Sequence, residues 1–264
     1  MNQFSNLVIT ILIFCMHAVN GMKEIEFHCK NGSVATNYAF CVNQDYLKEE
    51  PSFINNKILK VSVIVQFGDI VEVNDVFGTV RFDAFLTVSW CDERLIIMNN
   101  GSIWNNQGMG STWTSLNIKT LDYIWNPDLY IDNIETYKVK KISAPVGDLA
   151  LSSNKRFRYN FPVKISLNCP HFEYDTYPFD VQFCDFSIGS YLWTQELVKF
   201  SGNMTYNGTM QRPLQYKVRS IEPLSFEEGL LNYPWLTYKD SGELESSNLI
   251  YSHFSIRIKL SRIL

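Results

Sequence analysis

An all-β sandwich is the fold class this sequence predicts. Short runs rich in β-branched and aromatic residues recur along the chain, turn formers separate them, and the last run alternates cleanly. That last run, Tyr251 to Leu260, places Tyr251, His253, Ser255, Arg257 and Lys259 on one face and Phe254, Ile256, Ile258 and Leu260 on the other. Such alternation belongs to a half-buried antiparallel strand, and two packed sheets of such strands make a sandwich.

Residues 1–21 read as a secretory signal peptide: a polar start, the apolar run Leu7 to Met16, then small or polar Ala18, Asn20 and Gly21. The apolar run is too short to span a bilayer comfortably. Residues 22–264 are then a single domain of roughly 240 residues, within reach of one large β unit. A short amino-terminal helix is expected within Val34 to Glu50, where Asn43 to Glu50 is polar with one apolar side and Pro51 stops it.

Strands are expected from Lys57 through Gln66, over Thr79 to Ile97, and at Thr136 to Ile142, with a turn near Gly147 and Asp148. Ser152 to Arg158 reads as a hairpin connection into a strand over Phe157 to Leu167, and Tyr216 to Ile221 as one more strand. No later run approaches the ~20 consecutive apolar residues of a membrane helix, so a secreted, extracellular, soluble product is expected. The formal charge of -4 and the scattered basic residues give no case for nucleic-acid binding.

Six cysteines become five once Cys15 leaves with the signal. Cys169 and Cys184, with fourteen residues between them, are the strong disulfide pair, and Cys29 with Cys41 is a second. Cys91 is left over, either as a buried thiol or in an intersubunit bridge or other pairing. Sequons at Asn31, Asn100, Asn203 and Asn207 fit the secretory route and mark surface turns for glycosylation. His171 and His253 are too isolated to form a metal set, and no nucleophile motif or phosphate loop occurs, so neither an enzyme nor a bound metal or cofactor is expected.

The interior of the 169–184 loop is the most specific feature. Tyr177-Pro178-Phe179-Asp180 resembles the Phe-Pro-Phe-Asp core of the loop that names the Cys-loop ligand-gated ion channels. Three further landmarks follow the family's order: Trp90-Cys91-Asp92-Glu93-Arg94-Leu95 resembles its Trp-x-Asp-x-Arg-Leu segment, Trp125-Asn126-Pro127-Asp128 its Trp-x-Pro-Asp signature, and Gly189-Ser190-Tyr191 its Gly-Ser-Trp or Gly-Ser-Tyr. The resemblance implies the immunoglobulin-like twisted β-sandwich of the neurotransmitter-gated channel ligand-binding domain. Trp90 and Trp125 are then core anchors, with Asp92, Arg94 and Asp128 in a scaffold ionic network.

The resemblance also implies a site. The family captures a small transmitter between adjacent subunits of a pentameric ring in an aromatic cage, whose ring faces attract an ammonium. Motif alignment gives Tyr191 the central aromatic position of the principal face, Phe85 the aromatic of the complementary face, and Tyr251 the second aromatic of the flap. Tyr238, with Tyr233 close behind, is the candidate for the first flap aromatic. Asp132 stands seven residues after Trp125, where the family often has a cage tyrosine.

The loop is one residue longer than the family's usual thirteen, and the flap has no adjacent cysteine pair, which lowers the case for a conventional acetylcholine site. Ile256 to Leu264 resembles the family's last extracellular strand, so the sequence is expected to stop where a channel would enter its first membrane helix. The expected function is therefore a secreted, acetylcholine-binding-protein-like molecule that captures a small neurotransmitter-like ligand, cationic or otherwise, between subunits of a homo-pentamer or of an assembly with related subunits. The alternative is a truncated or partial subunit of a Cys-loop channel, membrane-associated through full-length partners.

Overall fold

The computed structural model describes residues 34–35, 39–43, 45–52, 57–98, 113–139, 147–206, 216–225, 230–238 and 244–263. The inner sheet is seven-stranded. Its order is β12 (Val198–Tyr206), β3 (Leu59–Asn74), β4 (Thr79–Cys91), β10 (Arg156–Asn168), β9 (Asp148–Ser152) and β6 (Trp113–Leu116), with β8 (Ile134–Val139) also pairing β10. The outer sheet runs β13 (Tyr216–Pro223), β15 (Leu244–Arg262), β11 (Val181–Ser190) and β7 (Leu129–Asp132), and β14 (Leu230–Tyr238) forms a hairpin with the start of β15. A third, small sheet of β1 (Val34–Ala35), β2 (Phe40–Val42) and β5 (Ile96–Ile97) joins the same core, the Phe40 ring meeting Phe157 edge-on at 5.9 Å. Among the described strands only β12 and β3 pair in parallel.

The core lies between the two large sheets because every second residue of their central strands is apolar. Val61, Val63 and Val65 of β3 and Phe82, Ala84, Leu86, Val88 and Trp90 of β4 point inward against Phe186 and Ile188 of β11 and Ile256, Ile258 and Leu260 of β15. Phe186 bridges the layers directly, its ring 6.1 Å from both Phe67 and Phe82. Trp90 stacks on Phe157 at 5.3 Å and meets Trp125 edge-on at 6.5 Å, so both tryptophans are core anchors, as expected.

The helix expected between Val34 and Glu50 does not form among the described residues, which hold β1, β2 and then turns. Tertiary bonds claim the segment instead. The Tyr46 hydroxyl donates to Asp92 Oδ2 at 2.8 Å and accepts the Trp125 N–H at 2.8 Å, while Arg94 Nη1 donates to the Leu47 carbonyl at 2.8 Å. These bonds outweigh a helix propensity of a few tenths of a kcal/mol per residue.

The closing strand also departs from simple alternation. Residues 251–256 are buried on both faces, and only from Arg257 onward does one side reach solvent. β15 is central in its sheet, between β13 or β14 on one side and β11 on the other, and the Tyr130 ring of β7 packs edge-on against His253 on its outward face.

Candidate functional site: an aromatic face on the outer sheet

Three strands assemble one face. Gly189 of β11 lies opposite Tyr130 of β7 on one side and His253 of β15 on the other. A Cβ at Gly189 would lie 2.4 Å from the His253 ring, so the missing side chain is what lets rings from the flanking strands meet across it. Tyr130 accordingly packs edge-on against His253 at 6.2 Å and against the Tyr191 ring at 5.5 Å.

Tyr191 is held by its backbone, and apart from the Tyr130 contact its ring faces solvent. Asp128 Oδ2 accepts the N–H groups of Tyr191 at 2.9 Å and Leu192 at 2.7 Å, and Oδ1 accepts the Ser190 hydroxyl at 2.7 Å. Ser190 Oγ in turn accepts the Trp193 N–H at 2.8 Å. The ring remains 65 % exposed, a fixed aromatic surface open to a ligand. Asp128 thus serves this turn and takes no part in the Asp92–Arg94 network to which the sequence reading assigned it. Its carboxylate satisfies amides that a strand end leaves without partners.

Beneath the rings the electrostatics are one-sided. Burial pushes the His253 imidazole down to about 4, against the opposing pull of the Asp132 carboxylate and the Ser190 backbone. Neither ring nitrogen reaches a hydrogen-bond partner among the described residues, so those two influences act from longer range. At neutral pH His253 carries no charge, and half-buried Asp132 supplies a negative charge behind the aromatic face. Such a surface favours an ammonium group over an anion.

The other expected cage residues are distributed unevenly. Phe85 is 55 % exposed on the outward face of the inner sheet, between Gln66 of β3 and Pro162 of β10. Tyr251 is only 7 % exposed, at the inner end of the β14–β15 hairpin, opposite Leu231. Tyr233 stands opposite Leu249 and Tyr238 opposite Leu244 in that hairpin. Sequence reasoning missed Tyr130. The signal for it was alternation: two residues before Asp132 on one strand is the same side of the sheet.

At the opposite end of the sandwich, Cys169 and Cys184 form the expected disulfide, and the loop between them carries a cis Tyr177–Pro178 bond. Asp180 is fully buried and accepts from Arg262 Nε at 2.7 Å and Nη2 at 3.1 Å, from Gln182 at 2.8 Å and from the Tyr216 hydroxyl at 3.2 Å. The Arg262 hydrogen bonds, above all, hold the Asp180 carboxyl down at about 2. Arg262 also pairs with Asp75 at 2.9 Å in the β3–β4 turn, donates to the Tyr216 hydroxyl, and lies 4.9 Å from the Tyr177 ring. Around this network Val76, 86 % exposed, joins exposed Phe77, Tyr177 and Phe179 in an apolar rim on the two adjoining loops.

Cys41 is disulfide-bonded, and Cys29, its expected partner, lies outside the described residues, as do residues 1–21, Asn31, Asn100 and Asn207. Asn203 is exposed on β12, level with Ile64 of β3. Cys91 is a free thiol, half-buried where full burial was one expectation. No helix of the described residues is long and apolar enough to cross a membrane.

Comparison with known proteins places this architecture. The chain is 27 % identical over 156 residues to a gamma-aminobutyric acid receptor alpha-like protein of Drosophila melanogaster, covering 59 % of this chain and 20 % of that protein. It is likewise 27 % identical over 149 residues to gamma-aminobutyric acid receptor subunit alpha-3 of Rattus norvegicus and of Homo sapiens, covering 56 % of this chain and 27 % of each relative. The matched stretch is thus about a quarter or less of the length of these relatives. Residues 41–262 match the family model of the neurotransmitter-gated ion-channel ligand binding domain, and the chain belongs to that family of non-catalytic ligand-binding modules.

Proposed function

We propose that this chain is the ligand-binding portion of a Cys-loop channel subunit, which captures a small amino-acid or amine ligand between its own Tyr191 face and the Phe85 face of a neighbouring subunit in a pentameric ring. One observation carries the reading. Tyr191 and Phe85 are exposed rings on the outward faces of two different sheets, and in a sandwich those faces point away from each other. A single chain cannot close both rings on one ligand, whereas two adjacent copies can. The relatives named for gamma-aminobutyric acid receptors support a small zwitterion as the ligand class. Its ammonium would sit against Tyr191 and Tyr130 above Asp132.

A mixing experiment tests this. Tyr191→Ala and Phe85→Ala chains, each deficient in binding as pure assemblies, should regain binding when co-assembled, because some interfaces then pair an intact Tyr191 with an intact Phe85. No recovery in mixed assemblies of normal size would refute the shared site.

A free-standing secreted binding protein is the second reading, and the rim of Val76, Phe77, Tyr177 and Phe179 argues against it. Exposed apolar groups clustered on two loops fit a surface that another domain covers. Replacing Phe77 and Phe179 by serine should make the isolated chain more soluble and leave ligand affinity unchanged. Unaltered solubility would favour the free-standing protein.

A further inference from the structure

The outward face of the inner sheet holds a second cluster, remote in sequence from the aromatic face. Cys91 of β4 pairs with Arg156 of β10, and because Ser62 pairs with Ser89, Lys60 of β3 falls level with Cys91 on its other side. Two cations therefore flank a free thiol in one row across three strands. The row lines a cavity of about 580 Å³ that also includes Lys57, Glu93 and Ser52.

Three features make this more than a solvated strand end. The side chains of Lys57, Lys60 and Arg156 make no ion pair or hydrogen bond with any described residue, so three like charges converge without compensation. The one carboxylate in the wall, Glu93, is drawn to Lys155, whose Nζ lies 3.9 Å from Glu93 Oε2 and donates to the Glu93 carbonyl at 2.7 Å. Ser52 is only 6 % exposed, and its hydroxyl has no hydrogen-bond partner among the described residues. A buried hydroxyl without a partner is unfavourable unless something else completes its bonding.

We infer that this cavity is a binding site for a small multivalent anion bearing phosphate or carboxylate groups, held by Lys57, Lys60 and Arg156 and hydrogen-bonded by Ser52. Arg156 offers a planar fork to an oxyanion, the two lysines add point charges, and the cavity wall concentrates their field. The inference stands whether or not the chain assembles around a transmitter, since every residue comes from one chain.

Cys91 reports on the site. In the glycosylated, disulfide-intact protein an anionic methanethiosulfonate should modify Cys91 at least about tenfold faster than a cationic one of similar size, with the preference shrinking as salt rises. Lys60→Gln and Arg156→Gln should each reduce that preference, and Cys91→Ser should abolish the labelling. Inorganic pyrophosphate should slow alkylation of Cys91 by neutral iodoacetamide in the wild-type protein and fail to do so in Arg156→Gln. Equal rates for the two charged reagents, or alkylation indifferent to pyrophosphate, would overturn the assignment without any variant having to fold.

Discussion

Two clusters at different places in the sandwich are built from the same parts. In each, a buried aspartate is gripped by an arginine through two hydrogen bonds, receives a tyrosine hydroxyl, and has the guanidinium stacked near that tyrosine ring: Asp92, Arg94 and Tyr46 in one, Asp180, Arg262 and Tyr216 in the other. The chemistry is shared and the reach is not. Arg94 lies two residues from its carboxylate, and its spare nitrogen goes to the Leu47 carbonyl, so that cluster knots one strand end to the amino-terminal segment. Arg262 lies 82 residues from Asp180, and it also holds Asp75. It therefore ties the last strand, the disulfide loop and the β3–β4 turn together, beside the apolar rim. A buried ion pair can be a local fastener or a junction, and what decides is which segments supply its members.

The comparison predicts unequal losses. Arg262→Gln, which leaves Asp180 buried without its charge partner, should destabilise by about 3–5 kcal/mol, while Arg94→Gln should destabilise less because Arg94 is the more exposed arginine. Denaturant midpoints decide, and an equal or larger effect at Arg94 would break the distinction. Next in size, Cys169→Ser should cost about 2–4 kcal/mol, the typical worth of a loop constraint. A variant that melts normally would show that Arg262 alone holds the junction.

Acid separates His253 from the Asp180 junction. His253 is depressed from 6.5 to about 4, so the unfolded chain binds the extra proton first and stability falls as pH drops through that window, by at most about 3 kcal/mol. Asp180 is depressed from 3.8 to about 2, so its contribution is lost only below that window. His253→Gln should flatten the stability profile between pH 6.5 and 4 and leave the steeper acid limb, and a profile unchanged by the substitution would remove His253 from the account.

The smallest effects concern recognition. Tyr191→Ala should weaken an ammonium ligand by about 0.5–2 kcal/mol, roughly twofold to thirtyfold in Kd, with melting unchanged. Unchanged affinity would take Tyr191 out of the site. Asn203 is level with Ile64 on the inner sheet, and Thr205 of its sequon is level with Gln66, the neighbour of Phe85. A glycan there would stand beside the Phe85 face, so Asn203→Gln should leave stability within about 0.5 kcal/mol while altering assembly or affinity. Mass mapping of the protein expressed in cells that glycosylate checks whether the sugar is present.

Much of the fold was legible before any coordinates because its signals are local. The alternation of Phe254, Ile256, Ile258 and Leu260 named the core face of the last strand, and the Tyr177–Asp180 motif between Cys169 and Cys184 pointed to their bridge. The expected helix near Asn43 failed for the opposite reason: local polarity was outvoted by Tyr46 and Arg94, whose partners lie 46 to 79 residues away. Of the candidate site, the motifs pointed to Tyr191 and Phe85, and both rings are exposed. The deep burial of Tyr251 and the contact of Tyr130 with Tyr191 depended on which strands become neighbours.

By itself the sequence determined the β character, the disulfide loop, the tryptophan anchors and the family landmarks, since these follow from periodicity, covalent reach and short motifs. Only the tertiary structure decided that Gly189 lets Tyr130 meet His253, that Asp128 anchors Tyr191, and that Lys60, Cys91 and Arg156 share one row. Sheet register brings together residues tens of positions apart, and a shift of one residue would turn each of them to the other face.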